Sequence, residues 1–321
     1  MKKIIDLHQD ILLHQRSPLV YKYQNQTSLN QVLASNIQIV FGTGFVFGEN
    51  DNVFASNCLD LIEEDIDEYV QYEKDNSNLL IIKNREDLEK VDEQSHIVTG
   101  LIIHIEGLNT FTDSAEDWAK LDAFYEKGLR SIGIVWTKKN SLGGGDSSED
   151  DSGLSELGKK VLCWAINKKI IIDFSHMNER TFFDSADVLM ENGVPIFISH
   201  GNARTVCSNK RNYTDQQLGA LKKSGGLIGV FFANSCLIDE GLATIEDVVK
   251  HIVYIKNLIG IDHLALGTDL GGLTVNIPEG LRDVSCLGNL EKALAKEGFS
   301  EGEIEKIFYG NAYNFLKNAL S

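Results

Sequence analysis

The chain has 321 residues, of which 43% are hydrophobic and 24% charged, and a formal net charge of -17. That length can bury a sizeable core without disulfide or metal staples, and the apolar fraction excludes extended disorder. So acidic a surface repels nucleic-acid phosphates and anionic lipid, which excludes both as principal partners. The amino terminus, Met1-Lys2-Lys3-Ile4, lacks the apolar run and small-residue cleavage site of a signal peptide, and no stretch approaches a membrane span, so a cytoplasmic location is expected. Five cysteines (Cys58, Cys163, Cys207, Cys236, Cys286) are scattered without a Cys-x-x-Cys pair and read as small reduced core residues.

The first element is an apolar run, Lys3 to Leu7, that leads directly into His8-Gln9-Asp10. In an extended chain alternate side chains share a face, so Asp6, His8 and Asp10 are expected together, an imidazole and carboxylates suited to zinc. Asn36 to Val46 is β-branched, aromatic and glycine-containing, as a buried strand and its exit loop would be. Cys58 to Lys74 repeats apolar residues at helical spacing among acids, the pattern of an amphipathic helix with a solvated face. Leu79 to Lys83 is a short apolar run, and Asn84 to Val91 reads as a capped helix.

From there strands alternate with helices. Strands are expected at Gly100–Gly107, Leu129–Trp136, Ile170–Phe174, Pro195–Ile198, Gly226–Phe232 and His263–Gly267. Helices are expected over Ala115–Lys127, Leu154–Lys168, Arg180–Asn192, Asp215–Lys223, Ile245–Gly260, Leu287–Glu297 and Glu301–Ala319. About eight continuous apolar strands, most followed by a helix, describe a parallel sheet covered on both faces. No Gly-x-Gly-x-x-Gly opens a first helix, so a closed (β/α)8 TIM barrel fits better than a doubly wound open sheet. No composition shift marks a linker, and residues 1–321 are expected to form one domain.

Strand after strand ends in a residue able to bind a metal or move a proton: His8 and Asp10, Glu106, His176, His200 and Asp269. In a barrel all strand carboxyl ends open on one rim, so these side chains would converge. Three imidazoles and the carboxylates suffice for two divalent ions bridged by Glu106, with a shared water whose pKa falls from 15.7 to roughly 7. Asp269 could take the proton of the attacking water and hand it to a leaving amine. After His200, a polar loop carries Arg204 and Arg211, able to hold a carboxylate bidentately, with Arg211 the stronger candidate. The acidic, glycine-rich stretch Asn140 to Gly153 lacks the Gly-Lys-Ser/Thr of a phosphate loop and is expected to be a mobile lid or a solvated connection.

These motifs carry a resemblance. Asp6-Leu7-His8-Gln9-Asp10, Ile105-Glu106-Gly107, Asp173-Phe174-Ser175-His176-Met177, Ser199-His200 through Val206-Cys207 to Arg211-Asn212, Gly225 to Val230, and His263 to Asp269, in this order, resemble the renal (membrane) dipeptidase family of zinc peptidases along nearly the full chain. The resemblance implies a two-zinc barrel hydrolase in which His8, Asp10 and Glu106 bind one ion and Glu106, His176 and His200 the other. It further implies that Asp269 transfers the proton, that Arg211 grips the free carboxylate of a dipeptide, often one with a D-residue at its carboxyl end, and that a homodimer is plausible. The chain departs from the family where a Leu-Thr-His segment usually follows the fourth barrel strand. Here Ile134 to Asn140 place Trp136 or Thr137 at the position of that imidazole, and Phe231-Phe232-Ala233 replaces a more polar, tyrosine-bearing stretch. Two other functions therefore stand beside the dipeptidase: the same kind of dinuclear hydrolase acting on another small amide, lactam or ester, and a metal-loaded but catalytically silent binding protein.

Overall fold

The computed structural model describes residues 2–12, 26–45, 58–273 and 276–320. The apolar runs form nine strands: β1 (Ile4–Gln9), β2 (Ile37–Gly44), β3 (Leu79–Ile81), β4 (Thr99–Glu106), β5 (Leu129–Gly133), β6 (Ile171–Asp173), β7 (Phe197–Gly201), β8 (Leu227–Val230) and β9 (Leu264–Leu266). Every pairing between them is parallel. The order β2-β1-β9-β8-β7-β6-β5-β4 is closed by the register of β2 on β4, from Ile39↔Gly100 to Gly44↔Ile105. This is the expected (β/α)8 TIM barrel. The short run at Leu79 is a strand outside that ring, paired only with the start of β4. Val46, the end of the expected second strand, lies outside the described residues.

Helices connect successive strands, and their starts follow from local chemistry. Asn84, Ser114, Ser155, Asn178 and Thr214 each accept the backbone N–H three residues on, satisfying a donor that the first helical turn leaves free. The expected single helix over Glu301–Ala319 is interrupted by a π turn at Lys306–Gly310. The extra residue in that turn lets the Tyr309 hydroxyl reach Asp92 while Asn311 binds the carbonyls of Ile261 and Leu264.

The two ends of the barrel differ. Ile5, Leu7, Ile39, Phe41, Ile102, Ile171, Phe197, Leu227 and Ala265 pack with Tyr309, Ala312 and Leu316 of the last helix, so the end where the strands begin is filled and dry. Phe197 stacks between Phe41 and Phe315. Where the strands end, the inward residues become polar, and His104, Ser131, Asp173 and Ser199 lie fully buried below the rim. No helix among the described residues is long and apolar enough to cross a membrane.

One buried histidine outside the rim makes folding sensitive to acid. His251, in the helix Ile245–Ile259, accepts the Ala203 N–H at Nδ1 and donates from Nε2 to the Leu237 carbonyl, holding the start of the loop after β7. Burial lowers its pKa to about 4, against 6.5 in an unfolded chain. A depressed pKa gives stability that is complete above the unfolded value and is lost as pH falls toward the folded one. His251→Gln, which can keep both hydrogen bonds, is expected to lose about 2 kcal/mol less stability than wild type between pH 7 and pH 4.5, measured by urea unfolding. Equal losses in the two proteins would contradict this.

Candidate metal centre

The side chains singled out at the strand ends meet in one buried pocket. Glu106, the last residue of β4, sits at its middle. Its Oε1 lies 3.6 Å from His8 Nε2, 3.0 Å from His176 Nε2 and 3.6 Å from His200 Nε2. His176 Nε2 and His200 Nε2 are 3.2 Å apart, and His8 Nε2 is 3.9 Å from Asp10 Oδ2 and 3.7 Å from Asp269 Oδ1. His8, Asp10 and Glu106 form one group whose donor atoms lie within 4.8 Å of one another, and Glu106, His176 and His200 form a second. His8, His200 and Asp269 form a third such group.

Backbone irregularities aim several of these residues. His176 and Asp269 hold φ of 64° and 60°, a left-handed conformation that costs a non-glycine residue about 1 kcal/mol or more and is concentrated at functional sites. On β1 a register irregularity between Asp6 and Gln9 breaks the two-residue alternation. Asp6 meets His8 through the backbone, its Oδ1 accepting the His8 N–H at 3.4 Å. Its carboxylate accepts the Thr268 N–H and hydroxyl and the Gln9 amide, at 2.9, 2.7 and 2.7 Å, tying β1 to the loop that carries Asp269.

The imidazoles are oriented from behind. Asp173 accepts the N–H groups of Ser175 and Ser199 and the Ser199 hydroxyl. The same hydroxyl lies 2.8 Å from His200 Nδ1 and 3.3 Å from His8 Nδ1. Both rings thus turn Nε2 toward Glu106. For His176 the rear partner is Asp146, whose Oδ2 is 3.0 Å from Nδ1. A carboxylate behind a histidine fixes its ring and tautomer and raises its basicity toward a metal.

The electrostatics favour cations. Burial, then the charges of Asp269 and Glu106, push the Asp10 carboxyl well above its ordinary value. Burial and the neighbouring Glu106 charge lift Asp269 to about 7. For Glu106 burial acts in the same sense, yet His8 and His176 beside it prevail and hold it down at about 2. Burial and the adjacent cations and imidazoles keep His200 well below its ordinary value. Asp10 Oδ1 is buried without a hydrogen-bond partner, an expensive state for a carboxylate oxygen unless a cation completes it. A Cβ on Gly272 would collide with Asp10 Oδ2 and come within 2.6 Å of Asp269 Oδ1, so this glycine keeps the space between the two carboxylates open. Imidazole nitrogens and carboxylate oxygens around such a space suit zinc or a similar divalent ion.

Arg211 reaches the pocket from the loop after β7. Its Nη2 donates to the His200 carbonyl at 3.2 Å, and its Nε lies 3.3 Å from Asp146 Oδ2. Phe231 packs over the guanidinium, whose Nε and Nη1 are buried without a hydrogen-bond acceptor. Arg204 is consumed within the loop by the carbonyls of Asn212 and Lys210 and by Glu179. Trp136, at the position where the resemblance leads one to expect a histidine, packs against Phe45 and 5.9 Å from the His176 ring.

Sequence reasoning missed Asp146. The stretch around it divides: Leu142 to Gly145 are buried against the barrel, whereas Ser147 and Glu149 to Asp151 are exposed as a solvated connection would be. A Cβ on Gly144 would strike Asn178 and Ser152, and one on Gly145 the Trp136 carbonyl, so the glycines let this backbone run against the barrel mouth and deliver the carboxylate.

A (β/α)8 barrel whose carboxyl-end rim gathers imidazoles and carboxylates in this way defines a metallohydrolase. The chain belongs to the membrane dipeptidase family (peptidase family M19), whose sequence profile matches residues 1–320. It is 36% identical over 242 residues to an uncharacterized protein in the pqqA 5' region of Klebsiella pneumoniae, covering 72% of this chain and 86% of that one. It is 32% identical over 218 residues to the dipeptidase tcpJ of Claviceps purpurea, covering 66% of this chain but 49% of that longer protein. A metallo peptidase from Rhodobacter sphaeroides, solved with a phosphinate mimic of the dipeptide L-Ala-D-Ala, superposes with a TM-score of 0.85 over 99% of both chains at 24% identity, a likeness of fold. The chain is thus a hydrolase of the metallopeptidase class and a dipeptidase by family.

Proposed function

We propose that the chain cleaves the amide bond of small dipeptides at a dinuclear zinc centre, with His8, Asp10 and Glu106 holding one ion and Glu106, His176 and His200 the other. The observation that carries this reading is the position of Glu106 Oε1 within 3.6 Å of three imidazole Nε2 atoms, in a pocket where Asp10 Oδ1 has no partner. Zinc held by these residues would supply Lewis acidity to a carbonyl and would bring the pKa of a bound water to about 7. Asp269 is the proton carrier, since its carboxyl stands near neutrality at the edge of the pocket and can accept a proton from the attacking water and return it to the leaving amine. Arg211 receives the free carboxylate of the substrate on its guanidinium, whose buried Nη1 donor has no acceptor.

The Trp136 indole beside His176 favours a second reading, in which the same centre works faster on another small amide, a lactam or an ester. One panel separates the two. L,L and L,D dipeptides, their C-terminal amides, lactams and simple esters are assayed before and after chelation and zinc return. Zinc-dependent cleavage fastest on dipeptides with a free carboxylate is expected. A lactam or ester turned over much faster than any dipeptide establishes the second reading, and a zinc-loaded protein silent on the whole panel contradicts both.

Arg211→Lys keeps the charge but loses the planar fork, and is expected to raise KM for dipeptides roughly 10- to 100-fold with kcat less affected. The C-terminal amides, already poor substrates of the wild type, should be changed little. An unchanged KM for the dipeptide would remove Arg211 from substrate binding.

A further inference from the structure

We propose that Asp146 couples the two halves of the site, so that a divalent ion on His176 and a substrate carboxylate on Arg211 each strengthen the binding of the other. The inference rests on the reading above and deepens it by naming what regulates affinity there.

Its basis is one shared atom. Asp146 Oδ2 lies 3.0 Å from His176 Nδ1 and 3.3 Å from Arg211 Nε. The carboxylate is buried, with 5% of its side chain exposed, so little solvent screens either contact. Its position is fixed: the Asp146 N–H donates to the His176 carbonyl at 2.8 Å, Gly145 bridges to Met177, and Ser147 donates to Oδ1 at 2.8 Å. Arg211 Nε, though ion-paired with Asp146, makes no hydrogen bond, and its buried Nη1 has no acceptor at all. An oxygen divided between an imidazole N–H and a guanidinium gives each less than it would give alone.

The sign of the coupling follows. An anion seated on Arg211 neutralises the guanidinium, which leaves more of the Asp146 charge to the His176 Nδ1–H and makes that imidazole a better donor to a cation. In the other direction, a cation on His176 Nε2 makes the Nδ1–H a stronger claimant on Asp146 and frees Arg211 for a new anion. Linkage requires the two effects to be equal in free energy. An Asp146 that merely pinned its loop would stabilise the fold but would not make zinc retention depend on a carboxylate bound elsewhere.

The test is zinc retention against a competing chelator, with and without a saturating dipeptide isostere in which an (E)-alkene replaces the amide. The isostere is used with a free carboxylate and as its C-terminal amide, and its seating is read by inhibition of dipeptide cleavage. The wild type is expected to hold zinc about fivefold more tightly with the carboxylate form and no more tightly with the amide. Asp146→Asn should abolish the difference and Asp146→Glu should restore part of it. A zinc-loaded wild type indifferent to the carboxylate, an equal response to the amide, or an undiminished shift in Asp146→Asn overturns the proposal. Should Asp146→Asn not fold, the acid and amide comparison on the wild type decides alone. A wild type that retains no zinc at all instead overturns the dinuclear reading itself, a distinct result.

Discussion

Glu106→Gln is expected to reduce bound zinc from the proposed two ions per chain to one or none and to lower kcat/KM on dipeptides by about a thousandfold, the upper range for loss of one electrostatic stabiliser. The reason lies in its place at the end of β4, where a single oxygen faces His8, His176 and His200. Glutamine preserves shape and volume, but its neutral amide cannot balance two dications. The same carboxylate is held ionised at about 2 by its imidazole neighbours, so the wild-type residue is charged throughout the working range. Zinc content by elemental analysis and kcat/KM on the same preparation check the expectation. Two tightly held ions in the glutamine variant would show that Glu106 is not shared between them.

Asp269→Asn is expected to leave zinc content unchanged while kcat falls about 10²- to 10⁴-fold, the usual contribution of a positioned acid-base group. Asp269 is held by the backbone at φ 60° with its N–H on the His8 carbonyl, so the substitution should not displace it. Its carboxyl, lifted to about 7 by burial and Glu106, can both take and release a proton near neutral pH, which an amide cannot. Its Oδ1 is also 3.7 Å from His8 Nε2, close enough to help hold an ion. The two roles separate in the experiment: activity lost with both zinc ions retained identifies a proton carrier, and zinc lost in proportion to activity identifies a ligand.

Much of this arrangement was legible in the residues because parallel strands buried on both faces must be continuously apolar, and their ends then stand out. His8, Glu106, His176, His200 and Asp269 each close such a run, and barrel closure brings them to one rim. What escaped depended on contacts between distant segments. The irregularity between Asp6 and Gln9 arises from pairing β1 with β2, and the Asp6 carboxylate answers to Thr268, far along the chain. The π turn before Asn311 answers to Asp92 and to the start of β9. Asp146 was hidden because three glycines before an acidic run read as a solvated loop. Only Asn178, Ser152 and the Trp136 carbonyl, pressed against those glycines, reveal a packed wall.

The most direct test of the account is an anomalous difference map, at the zinc edge, from crystals of the protein grown with zinc and a slowly cleaved dipeptide. Two peaks flanking the Glu106 carboxylate are expected, one beside His8 and Asp10 and the other beside His176 and His200. A single peak, or peaks away from Glu106, would contradict the dinuclear centre on which the proposed chemistry depends.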